Sequence, residues 1–320
     1  MSRPTVIFFA TDIHGSERCF MKFINAAKFY SAGVLILGGD ITGKALVPIV
    51  RQPGAADIYR ATFLGDAVTL ESDEAITAFE KQVRHGGAYP FRTTPEELAA
   101  MENNRSLVDT LFTRLMVESV ERWCDIAESR LKGTGARVYI DAGNDDEPEI
   151  VETLKQASFV EMPEGQVIRI DDEHEMISSG YANITPWHAP RDIPDERLAA
   201  FIDGMAAKLH DPRRAVFNIH VPPFGTGLDT APLLDDNLKP LVVAGEITTG
   251  PVGSKAVRAA IERYQPLVSL HGHIHESRAA SKLGRTLCIN PGSEYGDGNL
   301  RGAIVTLKGD KIGNYQLING

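Results

Sequence analysis

The feature that most narrows the fold is a set of five short apolar runs, at residues 6–10, 34–37, 138–140, 215–219 and 267–270, each followed at once by acidic, amide or histidine side chains. The first two show no alternation of apolar with polar residues, so they read as strands buried on both faces of a largely parallel sheet. An amphipathic stretch at residues 17–30 joins them into a β-α-β unit. Open α/β sheets place their sites at the carboxyl ends of such strands, which is where the polar clusters fall.

Those clusters are chemically uniform. The first run ends in Asp12 and His14, the second in Asp40, the third in Asn144, the fourth in His220, and the fifth in His273 and His275. Alternate residues of an extended segment point the same way. Asp12 with His14, and His273 with His275, can therefore each aim two groups at one point, while neighbouring strands bring the others alongside. A single Asp-x-His reads as chance and a single Gly-Gly-Asp as a turn, but all five clusters in order, each at a strand end, read as a metal site. Seven side chains exceed what one ion takes. Two ions roughly 3.5–4 Å apart need a shared carboxylate and clamp the attacking and leaving oxygens of a phosphoryl displacement; Asp40 is the natural bridge.

Between the second and third runs the character changes. Residues 44–133 read as an inserted α+β segment within a single domain over residues 1–320. It holds expected strands at 46–50, 58–64 and 67–70 and a helix at 72–84. From Thr94 and Pro95, an N-cap and first-turn proline ahead of Glu96 and Glu97, an amphipathic pattern then runs to Leu131 as one or two helices. Leu111, Leu115 and Trp123 on that stretch read as core packing, with a homo-oligomer face through the inserted helices as the alternative. Beyond it, helices are expected at 148–156, 195–209 and 253–264, a hairpin from 166–170 and 175–179, and strands at 286–289, 303–307 and 311–316.

Composition decides what such a site would be for. A 320-residue chain with 43% hydrophobic residues buries roughly 75% of its unfolded surface, so a metal is not needed to hold it together and is free to be functional. Cys19, Cys124 and Cys288 lie far apart with no Cys-x-x-Cys and read as reduced thiols. Lys and Arg total 33 against 43 Asp and Glu, a formal charge of -10, which argues against nucleic acid as the main partner. No run approaches the ~20 apolar residues of a membrane span, and the N-terminal run is too short for a signal peptide. The expected location is the cytoplasm.

The series Asp-Ile-His at 12–14, Gly-Gly-Asp at 38–40, Gly-Asn-Asp at 143–145, His220 and Gly-His-Ile-His at 272–275 resembles the calcineurin-like metallophosphoesterase superfamily. The resemblance spans the chain from Asp12 to His275. It implies a four-layer α/β/β/α sandwich, two mixed β-sheets flanked by helices, with a dinuclear centre at one edge. It further implies one ion held by Asp12, His14, Asp40 and His275, and a second held by Asp40, the Asn144 side-chain oxygen, His220 and His273. A bridging water or hydroxide would attack phosphorus in line. The mixed nitrogen and oxygen donors suit Mn, Fe, Zn or Ni, and the partner implied is a small soluble phosphoester.

One position departs from the family. Its third motif continues Gly-Asn-His, the histidine helping to stabilise the transition state and protonate the leaving oxygen, whereas here Asp145 follows Asn144. An ordinary carboxylate, with a pKa near ~3.9, repels a phosphate dianion and is a poor acid. The expectation is therefore a phosphodiesterase bias. Asp145 also reads as a helix N-cap ahead of Glu147 and Pro148. A nuclease of the same superfamily and a non-catalytic metal-binding scaffold are the alternative functions. His271 either supports the site or is simply packed, and the polar loop at residues 183–191, ending in Arg191, suits a pocket rim. Arg51, Arg60 and Arg92 read as surface arginines, with a substrate phosphate as the alternative contact. His85, His174 and His210 carry no assignment.

Overall fold

In strand β1 (Thr5–Ala10) the side chains divide by parity: Phe8 and Ala10 enter one apolar core, Ile7 and Phe9 another. A strand that feeds two cores lies in the middle of a sandwich, and the rest of the chain builds it. The computed structural model describes residues 4–54 and 57–320. After β1 come helix α1 (Glu17–Phe29) and β2 (Val34–Gly38), then β3 (Leu46–Arg51), β4 (Tyr59–Phe63), β5 (Asp66–Leu70), α2 (Asp73–His85), β6 (Tyr89–Thr93), α3 (Pro95–Glu102) and α4 (Arg105–Leu131). Next are β7 (Arg137–Asp141), α5 (Pro148–Gln156), β8 (Val167–Arg169), β9 (Glu175–Ser179), α6 (Asp195–Ala206) and β10 (Val216–Ile219). Short strands β11 (Thr230–Pro232), β12 (Val242–Val243), β13 (Glu246–Ile247) and β14 (Thr249–Pro251) precede α7 (Lys255–Tyr264). The chain closes with β15 (Val268–Leu270), β16 (Ala279–Leu283), β17 (Thr286–Asn290), β18 (Arg301–Lys308) and β19 (Lys311–Asn319).

Two mixed sheets stack face to face. The first has the order β19-β18-β1-β2-β7 and the second β16-β17-β15-β10-β9-β8. Ile7, Phe9, Val34, Ile36 and Tyr139 from the first sheet meet Val216, Val268, Leu270 and Ile289 from the second, forming the inner core. The outward residues Leu35, Leu37, Val138 and Ile140 pack under α1, α4 and α5. Phe217, Ile219 and Cys288 pack under α6 and α7. The period-2 split of apolar side chains thus yields the four-layer α/β/β/α sandwich that the resemblance implies.

Both sheets run β1, β2 and β7, or β9, β10, β15 and β17, in parallel, so their carboxyl ends collect on one edge of the sandwich. The chain between β2 and β7 adds a third, smaller sheet, β5-β4-β3-β6, covered by α2 around Ile49, Ile76, Phe79 and Val83. Helix α4 instead joins the main core through Met116, Val120, Trp123, Ala127 and Leu131, and Trp123 stacks on Phe20 of α1 with ring centroids 4.5 Å apart. The amphipathic stretch makes two helices: the Thr94 capping box starts α3, and the Asn104 side chain accepts from Ser106 N–H to start α4.

Some elements are not foreseen from the sequence. Strand β6 contains Pro90, which a central strand excludes, but it pairs at the edge of its sheet, where a missing N–H costs nothing. Strands β11 to β14 are two-stranded ribbons without a buried face, and β16 lacks β-branched residues, so none carries a periodic signal. Helix α6 stops at Ala206, three residues short of the expected end.

Candidate metal centre

Asp12 and His14 leave β1, and Asp40 leaves β2, in the left-handed backbone region, with φ of 53°, 38° and 49°; His273 after β15 joins them at 68°. Residues with side chains rarely adopt this conformation, and clusters of it mark sites where the surrounding structure over-determines the backbone. Here the loops hold one another. Asp12 N–H donates to Gly39 O at 2.9 Å, His14 N–H to Asp40 O at 3.1 Å and Gly15 N–H to Ile41 O at 2.7 Å. The backbone N–H of His273 reaches both carboxylate oxygens of Asp12 at 3.1 Å, which ties the second sheet's loop to the first sheet's carboxylate.

The expected side chains gather in two groups. Asp12, His14 and His275 form one and Asp40, His220 and His273 the other, each with its donor atoms within 4.8 Å of one another. In the first, His14 Nε2 lies 3.1 Å from His275 Nε2, and His275 Nε2 lies 3.4 Å from Asp12 Oδ1. In the second, His220 Nε2 lies 3.3 Å from Asp40 Oδ2 and also 3.9 Å from Asp12 Oδ1, so the two groups adjoin. Asn144 Oδ1 stands 2.9 Å from His273 Nδ1. All seven are brought to one edge, six of them grouped by threes and Asn144 beside the second group.

The residues fit a pair of cations on grounds internal to the structure. His220 Nδ1 is engaged by Gly38 O at 2.9 Å, while its Nε2 is buried, has no hydrogen bond and faces two carboxylates. Such an imidazole, oriented through one nitrogen and offering the other, has the form of a metal ligand. The space around the carboxylates is also closed. A Cβ on Gly143 would lie 2.0 Å from Asp40 Oδ1, and one on Gly272 would lie 2.3 Å from Asp12 Oδ2. The glycines of these two motifs let backbone approach the ligands directly.

Electrostatics follow the same geometry. Burial alone would raise the Asp40 carboxyl, but the charge of His220, 3.3 Å away, holds it well below the usual carboxylate range. Asp12 is likewise lowered, burial being outweighed by His275 and His220. Burial would lower His220, yet Asp40 pushes it up to about 10. Burial, reinforced by the charge of His220, takes His273 down to about 4, and burial lowers His14 too, leaving both imidazoles in the neutral form that binds cations.

Beneath these side chains lies a layer of support that the sequence does not announce. Asp192 Oδ1 accepts from Asn144 Nδ2 at 2.8 Å, turning the amide oxygen toward His273, while Asp192 Oδ2 accepts from the Thr185 and Ala189 N–H groups. The buried Asp146 carboxylate accepts from the N–H groups of Ile41 at 3.0 Å, Thr42 at 2.9 Å and Gly143 at 2.7 Å, clamping the Asp40 and Asn144 loops together. Arg191 is buried rather than at a pocket rim. Its guanidinium donates to the carbonyls of Ala142 and Gly143 at 2.7 and 2.9 Å and forks onto Glu164. A signal for these roles exists only in three dimensions, because each partner lies dozens of residues away or across a loop.

One further expectation is corrected. The N-cap of α5 is Glu147, with no side-chain cap bond, and Asp145 is held instead by Lys44 at 2.7 Å. Burial and the Asp40 charge raise the Asp145 carboxyl, against the pull of Lys44. Arg92 pairs with Glu80 at 2.8 Å and Asp73 at 3.4 Å, in agreement with its reading as a surface arginine. His271 is fully buried with Nδ1 on the carbonyls of Ile219 and Val221 at 2.8 and 3.1 Å, which is the packed reading. His174 forms an ion pair with Asp171 remote from the site. Among the described residues no helix is long and apolar enough to cross a membrane.

No family model matches the chain. The uncharacterized protein MJ1162 of Methanocaldococcus jannaschii is 28% identical over 152 residues, 47% of this chain and 61% of that protein. The match thus spans about three fifths of the relative's length. A solved crystal structure aligns over 99% of both chains at 17% identity with a TM-score of 0.56. That of TT1561 of Thermus thermophilus aligns over 99% of both at 11% identity with a TM-score of 0.53. At these identities the likeness is one of fold.

Proposed function

We propose that this chain is a metal-dependent phosphoester hydrolase, a member of the calcineurin-like metallophosphoesterases that its motif order and sandwich resemble. The observation that carries this reading is the pair of adjoining ligand groups, Asp12 with His14 and His275, and Asp40 with His220 and His273, on the shared carboxyl edge of the two sheets. Asp40, with one oxygen toward His220 and its charge acting on His14, serves as the shared carboxylate. Asn144 contributes its amide oxygen to the second group.

Two divalent ions, of the Mn, Fe, Zn or Ni kind that mixed donors favour, supply when bound a water of lowered pKa and neutralisation of phosphoryl charge. The chain's own work is to hold and orient. Gly38 O fixes the His220 ring, Asp192 fixes the Asn144 amide, and Asp146 locks the two loops that carry Asp40 and Asn144. With seven ligand positions filled by competent groups, the site keeps what a scaffold would have lost.

The substrate is a small soluble phosphoester, with diesters preferred. The net charge of -10 disfavours a polyanionic partner, and a Lys44–Asp145 pair of no net charge, in place of an imidazole able to carry a proton, favours the ester carrying less negative charge. Turnover of matched chromogenic diester and monoester by protein stripped of metal and reloaded with Mn tests the reading. Metal-dependent diester hydrolysis supports it; a monoester turned over faster than the matched diester removes the diester preference.

A further inference from the structure

Lys44 stands four residues beyond Asp40. Its ammonium lies 2.7 Å from Asp145 Oδ2 and donates to the Asp145 carbonyl at 2.7 Å. Asp145 in turn donates its backbone N–H to Asp40 Oδ1 at 3.0 Å. One positive charge is thus suspended two links from the carboxylate shared by the ligand groups. The two side chains are 41% and 40% exposed, and an ion pair that open contributes little to stability while costing lysine rotamer freedom. Stability does not explain the placement.

The support beneath does suggest a purpose. The Asp145 backbone sits between Asn144 and Asp146, the first bound by Asp192 and the second clamped to Ile41, Thr42 and Gly143. Asp145 is therefore a rigid anchor for a long, flexible side chain. An ammonium has three donors, of which Asp145 takes two, leaving one for a further acceptor. Three carboxylates, Asp12, Asp40 and Asp145, line this edge, and Lys44 offsets the one that no histidine balances.

We infer that Lys44 binds a non-bridging oxygen of the substrate's phosphoryl group and that Asp145 positions it there. The inference rests on the phosphoesterase reading above. The Gly-Asn-Asp departure then becomes a two-residue device: the cationic contact comes from Lys44, and Asp145, rather than facing the phosphate unpaired, anchors the cation. Ammonium to phosphoryl oxygen is a charge-assisted hydrogen bond, among the stronger contacts available to a lysine.

The test uses the full chain loaded with Mn, titrated calorimetrically with inorganic phosphate and assayed on bis(4-nitrophenyl) phosphate, with metal content and melting temperature recorded for each variant. Lys44→Gln is expected to weaken phosphate binding roughly tenfold and to raise KM by a similar factor, at unchanged metal content and melting temperature. Lys44→Arg should restore most of the binding. Asp145→Asn should raise KM by about threefold while kcat holds, because the cation remains but is no longer tethered. Phosphate binding by Lys44→Gln within twofold of the parent, in a parent that hydrolyses the ester, overturns the inference alone. Loss of metal in Lys44→Gln also overturns it, by assigning Lys44 to the loop's structure. A parent that neither binds phosphate nor hydrolyses ester overturns the phosphoesterase reading and this inference with it.

Discussion

His220 Nδ1 lies 2.9 Å from the carbonyl oxygen of Gly38, a hydrogen bond that crosses from the end of β10 in one sheet to the end of β2 in the other. It joins the two sheets at their common edge and leaves Nε2, 3.3 Å from Asp40, as the ring's outward atom. The metal reading depends on such oriented contacts as much as on the ligands themselves, and the first predictions address them.

Asp192 is the most direct case. Its carboxylate turns the Asn144 amide at 2.8 Å and holds the Thr185 and Ala189 N–H groups. Asp192→Ala should weaken metal affinity by about 10–100-fold, the usual effect of removing a partner that orients a ligand, with the fold retained. Metal titration followed by calorimetry, beside circular dichroism, measures both. Unaltered affinity would show that the Asn144 orientation does not matter.

Gly143 tests the closeness of the loops. A Cβ there meets Asp40 Oδ1 at 2.0 Å and the Asp40 backbone nitrogen at 2.2 Å, so backbone must shift. Gly143→Ala should lower stability by about 1–3 kcal/mol, as overpacking does, and remove one ion of the pair. Chemical denaturation and metal analysis of the same preparation decide the matter.

How far the sequence reaches is clear from these residues. The seven candidate positions are legible because each is written locally, a few residues beyond a strand of plain apolar character. The buried strands are legible as unbroken apolar runs, but the four-layer sandwich is reached only through the family resemblance, because which of two cores Phe8 or Phe9 enters is decided by the fold. Asp192, Asp146 and Arg191 are not legible, since each works on backbone or amides that only folding brings near. Asp145 misleads for the same reason: its local context suggests a helix cap, but Lys44, far earlier in the chain, takes the side chain. Pro90 hides β6 because the sequence does not say which strands are edges.

Away from the site, His174 gives a pH-dependent prediction. Its Nδ1 meets Asp171 Oδ2 at 2.6 Å and its Nε2 meets Gly309 O at 2.7 Å, linking the β8–β9 turn to the β18–β19 turn. Burial would lower His174, but the Asp171 and Gly309 bonds raise it; burial would raise Asp171, but His174 and Thr5 hold it lowered. A raised histidine contributes stability that is full below its ordinary value of ~6.5 and is lost as pH rises through the higher folded value. A lowered carboxylate contributes above its ordinary ~3.9 and is lost as pH falls through the lower folded value. His174→Gln should therefore cost about 2 kcal/mol between about pH 4 and 6.5, the size of a charge-assisted hydrogen bond, with a smaller gap near about pH 9. Urea unfolding across that range reads it; a constant gap contradicts the pair.

The most direct test of the central claim is a metal count paired with turnover. The chain is stripped, reloaded with Mn, and assayed for bound ions and for hydrolysis of a chromogenic phosphodiester, beside Asp40→Asn. Two ions per chain and metal-dependent turnover are expected in the parent, with at most one tight ion and a loss of about a thousandfold or more in Asp40→Asn. A parent that binds two ions and hydrolyses nothing, or an Asp40→Asn chain that keeps both ions and its rate, contradicts it.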